Sequence, residues 1–501
     1  MAERIINDLA FFTPEIVLTA TLLLAILADI LLRRTPLVVA GVVLAGLIVA
    51  GILTLGQAGT SASIFSGMIA VDPFARFVKL VVLLTAILVT VFSLLSAELN
   101  AAGRKVGEYY TLLTGATLGL LLMAGANNLL MIYLAIELSS LSSYVLAGYT
   151  REAPDSSEAS LKYVIFGALS SGLMLYGMSV IYGLTGSLDL QGVNQVLPQV
   201  IASGGTSVFL LLIAGVLILA GFGYKISAVP FHYWAPDVYE GAPVTITAYL
   251  AVASKAAGFA VLVRFFKVAF IDTGVLALPS GAWASLGGVD WVTVVAILSV
   301  LTMTVGNLIA IWQSNLKRLL AYSSIAHAGY MLMGVVVLNN EGLAAILIYF
   351  VVYLFMNLGA FYVVMLIAEK TGSEDIEDYK GLGARTPFLA LALAVFLISL
   401  TGIPPTGGFI GKLYLFAALI NGGWVWLAVV GGLNSVISLY YYVRVLRNMY
   451  LRGEEPLAPI QATRLQTATA LVLLVPTLLL GVYFGPLVQL AQASVRIFGT
   501  P

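Results

Sequence analysis

Cysteine is absent from the 501 residues, and histidine occurs only at His232 and His327. The first absence removes disulfides, thiolate zinc sites, iron–sulfur ligation and cysteine nucleophiles. The second leaves bis-histidine haem ligation as the one imidazole-based redox option, and it would need two separate spans to converge. No cofactor or metal is therefore expected in this chain. Charge is scarce too. Asp, Glu, Lys and Arg make up 10% of residues and the formal net charge is zero, which offers no attraction to nucleic acid or to an anionic surface. No HExxH, GxSxG or Walker pattern occurs. Glycine pairs such as Gly221 and Gly223 lie inside apolar runs, where they permit close helix packing rather than phosphate binding.

What is abundant is apolar side chain: 60% of residues are hydrophobic and the mean hydropathy is +1.03. No soluble domain of this length hides so much apolar surface, so the solvent is a lipid bilayer. Acidic Glu3 and Asp8 surround Arg4, and no small-residue cleavage pattern follows, so the first span is expected to stay in the mature protein.

Runs of about 20 apolar residues, the length a bilayer core requires, fall near 14–32, 36–56, 75–97, 108–125, 128–149, 159–184, 207–239, 244–270, 291–312, 319–338, 342–368, 386–420, 424–450 and 466–490. The expected fold is an all-α, polytopic transmembrane bundle of about 14 helices. Basic residues test the count, because short cytoplasmic loops are enriched in them. Loops and helix ends after odd-numbered spans hold Arg33, Arg34, Arg104, Lys105, Arg151, Lys162, Lys317, Arg318, Lys370, Lys380, Arg385, Arg444, Arg447, Arg452 and Arg464. The opposite side holds Arg4, Arg76, Lys79, Arg264, Lys267 and Arg496. Fifteen against six puts both termini outside. Lys317 and Arg318 read as anchors of this kind, and Asp72, Asp189, Asp272 and Asp290 as solvated outer-loop residues.

Two runs, 207–239 and 386–420, are too long for one straight span and carry internal prolines: Pro230 and Pro236, then Pro404 and Pro405. Proline removes a helix donor, and lipid tolerates such breaks only where protein or water receives the freed groups. Helices 7 and 12 are thus expected to be discontinuous. Their spacing of five spans marks two inverted repeats with sites at mid-membrane. The expected divisions are 1–107 (three helices), 108–270 (helices 4–8), 291–450 (helices 9–13) and 451–501 (the last helix).

Four ionisable residues fall inside spans: Glu137, Lys225, Lys255 and Lys412. Each costs a few kcal/mol at the bilayer centre. The bland reading is an inward-facing ion pair, or for Lys412 snorkelling to an interface. The functional reading is a proton path, because burial disfavours an ammonium and a nearby carboxylate favours it, so a lysine between the two can toggle. His232, beside Tyr233, Asp237, Tyr239 and Glu240, is either a proton relay or a structural donor. His327 shares its span with Ser323, Ser324 and Tyr330 and no acid, which suggests a hydroxyl and water relay toward Lys412. The prolines of span 12 are expected to let water reach Lys412 from outside, near Gly408.

These residues also carry a resemblance. The span NLLMIYLAIELSSLSSYVLAGY, the block GYKISAVPFHYWAPDVYEGAPVTITAYLAVASK, and NLKRLLAYSSIAHAGYML followed by TGIPPTGGFIGK resemble the antiporter-like membrane subunits of respiratory complex I. Those subunits share ancestry with the large subunits of Mrp-type cation/proton antiporters. The resemblance covers roughly residues 70–450. The phrase GYTREAPDSSEASLKYVIFGALSSGLMLYGMSVIYGLTG is similar to the N branch more than to L or M, and M has glutamate where Lys412 stands. The resemblance implies a proton half-channel from each side joined at Lys255, with Glu137 and Lys225 coupled and Lys412 at the exit. It implies K-type and M-type neighbours in a bacterial inner membrane, with termini on the periplasmic side. FMN, iron–sulfur clusters and quinone would belong to partner subunits. An Mrp-type Na⁺/H⁺ antiporter subunit is the alternative, and a non-transporting spacer the third reading.

Overall fold

The computed structural model describes residues 2–31, 36–101, 104, 106–272, 278, 282–286, 290–451 and 458–498. Of the basic residues counted above, Arg33, Arg34, Lys105 and Arg452, together with the Arg4 side chain, lie outside the described set.

The chain is almost entirely helical. In order run α1 (Ala2–Phe11), α2 (Thr13–Leu31), α3 (Pro36–Gly56), a hairpin of β1 (Ala62–Ile64) and β2 (Ile69–Val71), α4 (Pro73–Leu95), α5 (Val106–Gly125) and α6 (Leu129–Ala147). Next come α7 (Pro154–Thr185), α8 (Leu190–Ser203), α9 (Gly205–Ile226), α10 (Trp234–Gly241) and α11 (Val244–Ala269). The second half holds α12 (Trp291–Ala310), α13 (Leu316–Val336), α14 (Asn340–Thr371), α15 (Pro387–Thr401), α16 (Gly407–Asn421), α17 (Val425–Leu451), α18 (Arg464–Val482) and α19 (Gly485–Val495). Among the described residues, twelve helices are long and apolar enough to cross a membrane. The 20-residue α5 and the shorter apolar pair α15 and α16 supplement them.

Polar residues placed at helix starts set the boundaries. Asp72 caps α4 by accepting from Ala75 N at 2.7 Å, with Pro73 in the first turn. Asn128, Asn315 and Asn339 cap α6, α13 and α14, and Thr463 forms a reciprocal box with Gln466 at α18. Each satisfies donors that lipid could not. Helices α11, α13 and α14 are buried nearly all round and form the centre, whereas α2, α3 and α18 show most of their surface to the outside. A helix apolar on every side belongs in one of those two environments.

The two long runs are interrupted where prolines stand. α9 ends at Ser227 in the left-handed region, and the chain turns through Pro230 before α10 begins. α15 ends at Gly402 with φ +90°, and Pro404 and Pro405 precede α16. The final run departs from the single span expected over 466–490. It breaks after Val482 and restarts at Gly485 because Pro486 has no N–H to continue the ladder. α1, the hairpin and the amphipathic α8 had no counterpart in the span count. The run over 244–270 is helical throughout but holds a π-helical turn at Leu250–Ser254.

Several charges are not where chain position suggests. Asp72 is buried and grips Arg264 of α11 with two hydrogen bonds of 2.8 and 3.1 Å, so neither is a solvated loop charge. Lys79 pairs with Glu15 of α2 at 2.6 Å, both fully buried. Lys317 binds Glu374 at 2.8 Å, and Arg318 binds Asp237 and Glu240 at 2.6 Å each.

Candidate functional site

The helix α6 carries Glu137, and its sequence ELSSLSS places Ser139 and Ser140 within the next turn. Lys225, in the last turn of α9, points into this turn. Its Nζ donates to Ser139 Oγ at 2.7 Å and to Ser140 Oγ at 3.1 Å. Glu137 does not ion-pair with Lys225 among the described residues, and its Oε1 is buried without a hydrogen-bond partner. The two groups therefore share a neighbourhood rather than a bond. The lysine stem passes over Gly258 of α11, where an added Cβ would stand 3.3 Å from Lys225 Cγ.

Lys255 follows the π turn directly. Its Nζ donates to Ser324 Oγ at 2.6 Å and to the Ser324 carbonyl at 2.8 Å, both on α13. A lysine carried by the first half of the chain is thus bonded into the second. One turn along α13 lies His327, whose Nδ1 meets Tyr349 OH at 2.6 Å and whose Nε2 lies 3.5 Å from Tyr442 OH. Tyr442 OH meets Ser323 Oγ at 2.5 Å.

Lys412, in the first turns of α16, donates to the Thr401 carbonyl at 2.7 Å and to Ser435 Oγ at 3.0 Å. The first is a carbonyl freed by the end of α15. Its Nζ sits 4.5 Å from the ring centre of Tyr330, whose OH is 3.4 Å from Ser435 Oγ. Asn307 donates to Tyr330 OH at 3.2 Å and accepts from Tyr441 OH at 2.9 Å. From Lys255 to Lys412 the side chains in order are Ser324, His327, Tyr330 and Ser435. Gly408 is not an opening: an added Cβ would lie 1.7 Å from the Ser399 carbonyl oxygen.

His232 is buried in the turn after α9, its ring 4.5 Å from that of Tyr233 and its Nδ1 unpartnered. Asp237 and Glu240 are engaged by Lys162, at 2.5 Å to Asp237, and by Arg318. They do not bond to the imidazole. Sequence reasoning singled out Lys225, Lys255 and Lys412, which are buried, and Glu137, which is half-buried, but missed the hydroxyls around the lysines, apart from those around His327. The signal was present as serine pairs inside apolar runs, at 139–140 and 323–324. Among the described residues no group of three or more His, Asp or Glu side chains could hold a metal ion.

A polytopic bundle with lysines buried among hydroxyls at its broken helices defines a class of membrane-embedded, antiporter-like subunit. The transmembrane family described as NADH:quinone oxidoreductase/Mrp antiporter matches residues 126–438, and the chain belongs to it. It is 47% identical to NADH-quinone oxidoreductase subunit N 2 of Chloroherpeton thalassium, over 97% of this chain and 94% of that one. Among solved structures, a chain of respiratory complex I from Thermus thermophilus superposes with a TM-score of 0.77 at 31% identity, covering 96% of this chain and all of that one. A chain of the Mrp complex from Dietzia gives 0.81 at 22% identity, over 98% and 97% of the two chains, and shows the shared fold. The chain is a multi-pass membrane protein.

Proposed function

We propose that this chain is the N-type, proton-translocating membrane subunit of an NADH:quinone oxidoreductase. Electron transfer from NADH to quinone occurs in partner subunits that hold FMN and iron–sulfur clusters. This chain moves protons through Glu137, Lys225, Lys255, His327 and Lys412, with His232 as a candidate relay in the first break. K-type and M-type subunits flank it in a bacterial inner membrane, with both termini on the periplasmic side. The units 108–270 and 291–450 act as inverted repeats, preceded by the helices of 1–107 and followed by 451–501.

The observation that carries this reading is the partner chosen by the three central lysines. Each is buried and bonded to serine hydroxyls rather than to a carboxylate. A hydroxyl accepts from an ammonium and donates to a neutral amine, so both protonation states of the lysine stay hydrogen-bonded. A carboxylate would hold the charge in place. Gentle detergent extraction followed by absorbance tests the assignment. Flavin and iron–sulfur bands migrating with the chain support the oxidoreductase. Their absence, with sodium-dependent proton exchange in vesicles, would assign it to an antiporter instead.

A further inference from the structure

The outward face of α17 combines two features that nothing in the proton path uses. Val436, Tyr440 and Val443 recur at helical spacing on one side and are exposed. With Leu439 they line an apolar groove of about 350 Å³ that ends at Arg444 and Arg447. Both arginines also line an adjoining cavity of about 150 Å³ whose other walls are Trp312, Gln313, Ser314, Ile376, Glu377 and Asn448. The ligand space is therefore apolar along the helix and polar at its end, with two guanidinium groups at the junction.

The hydrogen bonding of those groups is incomplete. Arg444 donates one terminal nitrogen to the Ile311 carbonyl at 2.6 Å and the other to the Gln313 carbonyl, which fixes the guanidinium past the end of α12. Its Nε is buried and has no partner, and a buried donor left unmade costs about 1–3 kcal/mol. Arg447 is exposed and forms no ion pair among the described residues. Glu377 is bound by Lys380. Trp312, 84% exposed at the same level, is the side chain that settles at a membrane–water boundary.

We propose that this face of α17 binds one anionic phospholipid, with its phosphate between Arg444 and Arg447 and an acyl chain along Tyr440 and Val436. The order of groups argues for lipid over polypeptide. A protein partner would have to set a carboxylate directly above an apolar stripe at the membrane boundary, whereas a phospholipid carries anion and hydrocarbon in that order in one molecule. The excess of basic residues assigns this end to the cytoplasmic leaflet, where anionic lipids concentrate and each basic residue near the surface adds about 1 kcal/mol of attraction. The proposal is independent of the proton path, because none of its residues bonds to Lys255, His327 or Lys412.

The test uses the full chain in its purified membrane assembly, reconstituted into phosphatidylcholine nanodiscs doped with brominated phosphatidylglycerol or brominated phosphatidylcholine. Quenching that disappears in the Trp312→Phe variant reports lipid at this face. Phosphatidylglycerol should quench at a several-fold lower mole fraction than phosphatidylcholine. Arg447→Gln should reduce that preference about fivefold, and Arg447→Lys should keep it. Because Arg447 is exposed and braces nothing, its replacement does not endanger folding. Equal quenching by the two lipids in the unmodified chain overturns the proposal. So does a photoreactive residue at Val443 that cross-links into another polypeptide while neither lipid quenches, which would make the face a subunit contact.

Discussion

Buried cations held by carboxylates of the N-terminal helices and those along the candidate proton path are handled in opposite ways. In the first group Lys79 of α4 meets Glu15 of α2, and Arg264, carried by α11, meets Asp72 at the start of α4, each cation against a carboxylate with almost no solvent. At the centre Lys225, Lys255 and Lys412 are as deeply buried, yet their nitrogens rest on serine hydroxyls and backbone carbonyls. Depth alone therefore does not mark a proton carrier. A full counter-charge at 2.6–2.8 Å resists proton release, because removing one proton leaves the other partner as an uncompensated buried ion. A hydroxyl imposes no such penalty.

The largest effect should come from Lys255, which bridges the two halves. Lys255→Ala should slow proton translocation in sealed vesicles about 10²-fold, the scale of losing one positioned proton-transfer group. Lys255→Arg should not rescue it, since guanidinium hardly deprotonates in proteins. An active arginine variant would show that the centre needs a fixed charge, which would erase its difference from the N-terminal pairs.

Glu137→Gln comes next. It removes the charge nearest Lys225 without touching the serines that hold that lysine. Pumping should fall about tenfold, equivalent to about 1.4 kcal/mol and so between the ~1 kcal/mol of a fully hydrated charge pair and the ~4 kcal/mol of one at a protein surface, while the assembled complex is recovered in normal yield. Near-normal proton uptake by intact vesicles would remove Glu137 from the path.

The third effect is smaller. Replacing Pro404 and Pro405 with alanine restores two backbone donors between α15 and α16, and pumping should drop a few-fold with every ionisable residue intact. Gly402 also ends α15 through its positive φ, so the variant tests the prolines alone. A cysteine reporter belongs at Ile403, which is 37% exposed, because Gly408 has no room for a side chain. Labelling at Ile403 by a membrane-impermeant reagent should decline with pumping. If both persist in the double alanine variant, the proline break is not an exit gate and Lys412 is a structural anchor.

The smallest effect sharpens the contrast from the other side. Lys79→Met alone should destabilise the fold by about 3–5 kcal/mol by stranding Glu15, and adding Glu15→Leu should recover that loss. Thermal unfolding in detergent reads the stability, and pumping per assembled complex should not change in the double variant. A pumping defect there would give Lys79 a role in proton transfer.

The architecture and the central lysines were legible in the sequence because an ionisable residue in a long apolar run stands out on composition alone. The proline pairs revealed where two spans break by the same logic of a missing donor. The pairs Lys79–Glu15 and Asp72–Arg264 were hidden, since the span count assigned their residues to loops and span ends, where charge is ordinary. Ser139, Ser140, Ser324 and Ser435 were visible as residues but not as partners, because which helix faces which is decided by packing. The amphipathic α8 was overlooked because its run of 14 residues is too short to cross a bilayer.

The turn at Leu250–Ser254 has a geometric outcome of its own. A π turn accommodates one residue more than an α turn would, and each α-helical residue rotates the chain by about 100°. The two ends of α11 are therefore out of phase by roughly that angle. The upstream end packs chiefly on α14 and the downstream end on α5, while Arg264 reaches Asp72. A version of this helix one residue shorter would bring both ends into a single phase. With Arg264 anchored, the adjustment would fall on the upstream end; with that end anchored, Lys255 would swing away from Ser324. Chain length across these five residues thus works as an angular setting for the ammonium at the meeting point of the two halves.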